Sequence, residues 1–181
     1  MARYFLALGS NVGDREANLG LAVQELEARG VAVTRSASVY TTEPQGIREQ
    51  PWFLNTALEV ETSLGPEELM RVCLAIEQEA GRKRAQPNGP RTLDIDIVLA
   101  GDRIVATDRV TIPHPRYAVR RFVLEPLAEI APGAVDPVRG ASVRELLGTL
   151  SDDGIVRRSG PPLVSPLKKG LKSPDPVRPE G

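Results

Sequence analysis

Two parts of the sequence share one organisation, in which an amphipathic helix lies between two strand-like stretches. The first predicted helix follows Asp14, a capping residue, and ends before Gly30. The second begins at Pro66, a residue favoured in the first helical turn, and ends before Gly81. Apolar residues recur at helical spacing in both, namely Leu19, Ala22, Val23 and Leu26 in the first and Leu69, Val72, Cys73 and Ile76 in the second. This spacing predicts that Cys73 is a core residue and not a reactive thiol.

The strand-like stretches complete a β-α-β-β-α-β order. They cover residues 4–9, 31–40, 54–62 and 93–100. This order predicts an α+β protein with a ferredoxin-like core, in which an antiparallel sheet has both helices on one face. The predicted C-terminal additions are a hairpin within residues 103–112 and helices near residues 120–130 and 142–150.

The predicted domain covers residues 1–150, and a different composition begins at residue 151. Residues 151–181 contain six prolines and four glycines without helical or strand periodicity. We therefore expect them to form an extended or disordered tail.

Composition and charge restrict the classes of function. One cysteine and one histidine exclude a disulfide framework and a multi-histidine metal site. No apolar run approaches the roughly 18 residues of a membrane span, so we expect a soluble, cytoplasmic protein. The net charge is −1, but residues 82–121 contain nine basic and four acidic side chains. A local basic segment favours a compact polyanion such as a nucleotide polyphosphate over long nucleic acid, with a solvated charged face as the alternative.

Side-chain alternation predicts a shared polar face on two strands. The apolar side chains lie at even positions in one strand and at odd positions in the other, namely Leu54, Leu58 and Val60, and Leu93, Ile95, Ile97 and Leu99. The residues of opposite parity are Phe53, Asn55, Asp94 and Asp96. We expect these four on a face without helices. The usual strand order places the two strands on either side of the first, which separates the groups by roughly 10 Å.

Asp94 and Asp96 are a candidate metal pair. Carboxylates at i and i+2 on one strand face repel each other unless a cation lies between them, and Mg²⁺ with a bound polyphosphate satisfies this requirement. The basic residues 82–84 and the run at residues 89–92 precede the pair and could bind phosphate, whereas a solvated acidic strand is the alternative. His114 lies between two prolines in the basic segment, where a phosphate hydrogen bond and no role are equally compatible with the sequence.

Four motifs extend this pattern: LGSN at residues 8–11, QPWFLN at residues 50–55, GPRTLDIDI at residues 89–97 and IPHP at residues 112–115. With them the sequence resembles the 6-hydroxymethyl-7,8-dihydropterin pyrophosphokinase family over about residues 3–150. The resemblance implies transfer of the β,γ-diphosphate of ATP to the hydroxymethyl group of the pterin, with release of AMP, in folate biosynthesis. It implies ATP and the pterin as small-molecule partners, no nucleic acid or membrane partner, and a monomer.

The resemblance also implies a role for individual residues. Asp94 and Asp96 would hold two Mg²⁺ ions, and Arg82 and Arg91 would join them as catalytic residues. The implied ATP-binding residues are Glu77, Arg82, Arg84, Arg91, Ile97, Arg109, Thr111, His114 and Arg120. The implied pterin-binding residues are Thr42, Gln45, Phe53, Asn55 and Phe122, with the two phenylalanines sandwiching the pterin. Many members have tyrosine at the position of Phe53 and tryptophan at the position of Asn88.

Two other classes share parts of this pattern. A palm-type nucleotidyltransferase also combines a ferredoxin-like sheet with two carboxylates and Mg²⁺, but it releases pyrophosphate. An RNA-binding module shares the element order but stacks bases on strand aromatics, and residues 4–8 lack its aromatic pattern. If the chain is a pyrophosphokinase, we expect its pyrophosphokinase activity to survive deletion of residues 151–181.

Overall fold

The elements predicted from the sequence are present in the predicted order. The structure, a computed structural model, describes residues 1–81, 92–151 and 154–164. Its strands are β1 Ala2–Ser10, β2 Ala32–Ser36, β3 Val39–Thr42, β4 Phe53–Thr62, β5 Asp94–Leu99, β6 Val105–Ala106, β7 Thr111–Ile112, β8 Val135–Asp136, β9 Ala141–Ser142 and β10 Val156–Gly160. Its helices are α1 Arg15–Ala28, α2 Pro66–Glu79, α3 Arg121–Ile130 and α4 Val143–Gly148, with a 3₁₀ turn at Tyr117–Val119.

The ends of α1 and α2 follow the local signals. Asp14 caps α1, since its Oδ1 accepts a hydrogen bond from the Ala17 N–H at 3.0 Å. Pro66 occupies the first helical position of α2. Gly30 and Gly81 follow the two helices with φ of +79° and +82°, a conformation that glycine adopts without steric cost. Cys73 is fully buried in the core, as predicted, and burial raises the pKa of its thiol.

An antiparallel sheet of six strands forms the centre of the molecule, with the order β10-β3-β4-β1-β5 and with β2 also paired to β4. As predicted, β4 and β5 lie on either side of β1. Gly9 is opposite Asn55 on one side and Asp94 on the other. The structure is therefore a mixed helix and antiparallel sheet fold in which one glycine separates the predicted pterin-binding and metal-binding positions.

Helices cover both faces of the sheet, which corrects the prediction of a helix-free face. α1 and α2 pack on one face against the apolar side chains of β1, β4 and β5, including Leu6, Leu58 and Ile97. On the other face, α3 packs against β4 and contributes Leu124 to a second cluster with Phe5. Helical periodicity predicted α3, but it carries no information about the face on which a helix packs.

Leu99 belongs to this second cluster. Its odd position had predicted that it would lie with Leu93, Ile95 and Ile97 in the first cluster, so this prediction was wrong. The register of β1 with β5 shifts between Phe5 and Leu6, so that Leu99 lies opposite Phe5. Such an irregularity reverses the side-chain alternation of the residues that follow it.

The expected tail contains an ordered strand. Residues Val156–Gly160 form β10, which pairs antiparallel with β3. We expected residues 151–181 to be extended or disordered, and within this segment residues 156–160 are extended and paired. The backbone of β3 supplies the partner for β10, and a long-range partner of this kind leaves no periodic pattern in the sequence. No helix in the described part of the chain is long and apolar enough to cross a membrane.

Asp136 is fully buried and fastens the turn that follows β8. Its Oδ1 accepts hydrogen bonds from the N–H groups of Val138 and Arg139, and its Oδ2 accepts from the hydroxyl of Tyr117 at 2.7 Å and from the Arg139 guanidinium at 2.9 Å. Burial by itself would raise the pKa of Asp136. These donors outweigh burial and lower the pKa below its usual value.

We expect Asp136→Asn to lower the free energy of unfolding by about 2 kcal/mol. The substitution replaces one acceptor oxygen with an NH₂ group, which would face the N–H and O–H groups that now donate to the carboxylate. The contribution of the carboxylate is present above about pH 4 and is lost as the pH falls through the lowered pKa of the folded state. Urea unfolding at pH 7 and pH 3 measures both effects. The exposed Asp108→Asn is the control, with an expected change within about 0.5 kcal/mol. Equal stability of the two variants at pH 7 would contradict the assignment.

Candidate active site

Asp94 and Asp96 project from the second face of β5 beside small residues of β1. Asp94 is opposite Gly9, and Asp96 is opposite Ala7. Paired residues of an antiparallel ladder point to the same side of the sheet, so both carboxylates lie beside positions that fill little space. The Asp96 side chain is 34% exposed, which leaves it accessible to a ligand from solvent.

Glu77 of α2 holds the beginning of β5. Its carboxylate is buried, and its Oε1 accepts a hydrogen bond from the Ile95 N–H at 2.8 Å. The backbone of Ile95 therefore points away from β1, and alternation turns the backbone of Ile97 in the same direction. The Ile97 side chain is 1% exposed in the main core, so this residue presents its backbone, and not its side chain, at the outer edge of the sheet.

His114 faces Asp96 from the segment after β7. Its Nε2 lies 4.0 Å from the Asp96 Oδ2, and its Nδ1 accepts a hydrogen bond from the Arg116 N–H at 3.1 Å. Burial, and then the positive charge of Arg120, lower the pKa of His114 to about 4. The imidazole is therefore neutral at pH 7 and carries its proton on Nε2, as a donor directed at the carboxylate side of the site. Its contact with Asp96 is not an ion pair at this pH.

Arg120 brings a partly buried positive charge to the same place. Burial lowers the pKa of its guanidinium, whereas the negative charges of Asp96 and Asp94 oppose this effect. The guanidinium carbon lies 5.6 Å from the centre of the Phe122 ring, in the first turn of α3. The start of α3 thus places a cation beside the carboxylates and an aromatic ring beside that cation.

Asn55 and Thr42 form a polar pair on the other side of β1. The Asn55 Nδ2 donates to the Thr42 Oγ1 at 2.6 Å, and both residues are buried. The Asn55 carboxamide extends over Gly9, since a Cβ built on Gly9 would lie 2.5 Å from the Asn55 Oδ1 and 3.6 Å from the Phe53 ring. The glycine is thus required sterically for this orientation of Asn55.

The loop between β3 and β4 is fastened to the start of α1, a connection that the sequence patterns did not reveal. The Asn11 Nδ2 donates to the Gln50 side chain and to the Pro51 carbonyl, both at 2.9 Å. The Arg15 guanidinium donates to the Trp52 carbonyl at 2.7 Å. The LGSN motif thus supplies both the glycine under Asn55 and the asparagine that holds the segment preceding Phe53.

Comparison with known proteins gives the family. The model of the 7,8-dihydro-6-hydroxymethylpterin-pyrophosphokinase family matches residues 5–132. The chain belongs to this family. A 2-amino-4-hydroxy-6-hydroxymethyldihydropteridine pyrophosphokinase of Methylorubrum extorquens is 44% identical over 158 residues, which cover 87% of this chain and 99% of the relative. One of Bacillus subtilis is 48% identical over 127 residues, which cover 70% and 76% of the two chains.

Longer proteins contain a similar unit. A folate synthesis bifunctional protein of Pisum sativum is 36% identical over 92% of this chain and 34% of its own length. Among solved structures, an HPPK-DHPS variant of Plasmodium falciparum superposes with a TM-score of 0.67 at 14% identity, over 81% of this chain and 45% of that one. At this identity the superposition supports the fold alone.

The structure brings together some of the residues that the resemblance to the pyrophosphokinase family indicates. Asp94, Asp96, His114 and Arg120 form one cluster, described above. Arg109 and Thr111 are exposed on the β6–β7 hairpin, and Gln45 is exposed in the loop after β3. The predicted roles of Arg82, Arg84 and Arg91, and the difference from many members at Asn88, concern positions outside the described residues.

The acidic pair is compatible with Mg²⁺. Within residues 1–81, 92–151 and 154–164, no group of three or more His, Cys, Asp or Glu side chains is arranged as a metal site. A zinc site takes three or four such side chains. Mg²⁺ instead is commonly held by one or two carboxylates, with phosphate oxygens and water as the other ligands. The two partly exposed aspartates of β5 match this donor set.

Proposed function

We propose that this chain transfers the β,γ-diphosphate of ATP to the hydroxymethyl group of 6-hydroxymethyl-7,8-dihydropterin, releasing AMP, as a step of folate biosynthesis. The observation that carries the proposal is the row of Asn55, Gly9 and Asp94 across three neighbouring strands, within a chain of the pyrophosphokinase family. The Asn55 amide and the carboxylates of Asp94 and Asp96 are thus held two strand spacings apart, about 10 Å.

Asn55 and Thr42 would recognise the hydrogen-bonding edge of the pterin. An amide offers both a donor and an acceptor, which suits the mixed edge of a pterin ring. Phe53 precedes Asn55 on the same strand, and Phe122 projects from α3, so that these two rings would stack on the pterin faces. Gln45 would contribute backbone groups from the loop after β3.

Arg120 and His114 would bind the phosphates. Arg120 supplies a positive charge, and His114 supplies a neutral Nε2–H donor that does not depend on protonation near pH 7. Arg109 and Thr111 of the β6–β7 hairpin, with Glu77 and Ile97 near the outer edge of β5, would complete the nucleotide site. Arg82, Arg84 and Arg91 belong to the proposed site by family resemblance.

Asp94 and Asp96 would hold two Mg²⁺ ions. When bound, these ions would neutralise the phosphate charge and align the diphosphate with the hydroxymethyl oxygen. The protein's own contribution is positioning. Asn55 would hold the ring so that its substituent extends over Gly9 towards the Asp94–Asp96 pair. Arg120, with Arg82 and Arg91 by family resemblance, would stabilise the charge that moves to the AMP leaving group.

The proposal also covers the fold class, the partners, the cellular location and the oligomeric state. The order of the elements and the strand order β4-β1-β5 support assignment to the ferredoxin-like class. The small polar cluster supports ATP and the pterin as partners in place of nucleic acid. We also propose a cytoplasmic monomer, in keeping with the sequence-based expectation.

Phosphorus NMR of the products tests the proposal. We expect that the full chain with ATP, Mg²⁺ and 6-hydroxymethyl-7,8-dihydropterin gives AMP and a pterin diphosphate. The matched control omits the pterin and should leave ATP unchanged. ADP as the product would mean a simple kinase, and pyrophosphate would mean a nucleotidyltransferase. Either product, or intact ATP with a folded protein, would contradict the proposal.

A further inference from the structure

Strand β10 lies against the strand that carries Thr42. Val156 is opposite Thr42, and Arg157 is opposite Thr41. The contact continues beyond the strand, since the Glu43 N–H donates to the Ile155 carbonyl at 3.0 Å and the Ile155 N–H donates to the Glu43 carboxylate at 3.3 Å. The backbone on both sides of Thr42 is therefore held from the side opposite β4.

Thr42 connects β10 to Phe53 and Asn55, two of the proposed pterin-binding residues. On the β4 side it is opposite Phe53, and its hydroxyl accepts the hydrogen bond of Asn55 at 2.6 Å. β3 contains only four residues, so two neighbouring strands determine the position of Thr42. A shift of β3 at this end would move the acceptor that orients the Asn55 carboxamide.

A second connection joins β10 to α3, the helix that carries Phe122. The Arg158 guanidinium lies 2.9 Å from the Glu129 carboxylate and 6.0 Å from the centre of the Tyr40 ring. Glu129 also accepts hydrogen bonds from the hydroxyl and the N–H of Ser38, which precedes β3. The Arg158 side chain is 64% exposed, so its ion pair is weak, and the backbone ladder carries most of the support.

We propose that β10 is a positioning element of the pterin site, which holds Thr42 and thereby Asn55 in the orientation that binds the pterin. This inference rests on the proposed function. It assigns to the backbone of residues 155–160 a part in positioning the pterin-binding groups that the sequence did not indicate, and it reverses the expectation that activity is unaffected by deletion of residues 151–181. It predicts selective loss of pterin affinity, because the carboxylates of β5 lie on the far side of β1.

The ladder offers a matched pair of variants at Arg157. Since the Glu43 N–H donates to Ile155, Val156 and Thr42 form a non-hydrogen-bonded pair, and Arg157 and Thr41 form the hydrogen-bonded pair. Arg157→Pro removes the donor of that pair. Arg157→Ala keeps the donor and removes only an exposed side chain. A second pair of proteins ends after Val164, which retains β10, or after Ser151, which removes it.

The measurements are the Kd of the pterin in the presence of a non-hydrolysable ATP analogue, the Kd of the analogue alone, KM and kcat, and the melting temperature. For Arg157→Pro and for the chain ending at Ser151 we expect pterin Kd and KM to rise roughly three- to tenfold, as fits the loss of one or two positioning hydrogen bonds. The Kd of the analogue should stay within twofold of the parent value. Arg157→Ala and the chain ending at Val164 should match the parent protein.

Three results would overturn the inference. The first is an unchanged pterin Kd in Arg157→Pro and in the chain ending at Ser151. The second is an equal loss of pterin and analogue affinity, which would indicate general destabilisation. The third is failure of both disrupted proteins to fold, which would make β10 a determinant of the whole fold. Failure of the proposed function is distinguishable, because then the unmodified chain itself would not bind the pterin.

Discussion

Asp96→Asn is expected to reduce turnover by at least about a hundredfold while pterin binding stays measurable. The substitution preserves the shape of the side chain and removes the charge that would hold Mg²⁺ and its bound phosphates. The proposed pterin-recognition pair, Asn55 and Thr42, lies across β1 and is not altered. Steady-state kinetics over a range of Mg²⁺ concentrations and a pterin titration measure the two properties separately.

The stability of Asp96→Asn separates a functional role from a structural one. Asp94 and Asp96 lie two positions apart on one strand face, where like charges repel. Removing one charge should therefore leave the free energy of unfolding unchanged or slightly higher. Asp108→Asn, at an exposed position, is the control for turnover. Near-normal turnover of Asp96→Asn at saturating Mg²⁺ would contradict the metal assignment.

Gly9→Ala is expected to weaken pterin binding by about tenfold or more. The added Cβ would lie 2.5 Å from the Asn55 Oδ1, well inside contact distance, so the carboxamide must move. ATP binding should change much less, since the overlap involves Asn55 and not the aspartates. Calorimetric titration with the pterin and with a non-hydrolysable ATP analogue measures both affinities.

Two comparisons support the interpretation of Gly9→Ala. Gly20→Ala is the control, because nothing lies within 4 Å of a Cβ at Gly20, and alanine should stabilise α1 by roughly 1 kcal/mol without a change in affinity. The second is a double-mutant cycle with Asn55→Ala. Once the carboxamide is absent, Gly9→Ala should cost little further affinity. Additive losses in the cycle would mean that the glycine acts by another route.

The sequence predicts best those elements whose signals are local. α1 and α2 were predicted because a capping residue, a first-turn proline and terminal glycines mark ends that helical spacing connects. Strand alternation predicted the side of the sheet on which Asn55 and Asp96 lie, because parity needs no knowledge of the partner strand. The register then brought Asn55 opposite Gly9.

Elements that depend on a distant partner were not predictable in this way. β10 has exposed arginines and a backbone partner more than a hundred residues earlier, so its sequence contains no alternating apolar face. The position of α3 on the second face, and the reversal at Leu99, follow from tertiary packing and from an irregularity in the ladder.

The same limit applies within the site. Asp94 stood out because a charged pair on a strand is unusual in itself. Gly9 and Asn11 belong to the LGSN motif, but their roles could not be predicted, because these roles lie in contacts with Asn55 and with the loop at Gln50, about forty residues away in sequence. A glycine that a close contact requires, and a buried amide that makes this contact, can be recognised only in the folded structure.

Charge at both ends of the strand path has a consequence for self-association. The outer strand of a sheet is a template on which another chain can add a strand, and natural proteins block it with charged groups. At one end, the Glu77 carboxylate occupies the Ile95 N–H of β5. At the other end, β10 carries the exposed Arg157 and Arg158. An approaching strand would have to displace a buried carboxylate at one edge or pass two guanidinium groups at the other, which disfavours aggregation through the sheet.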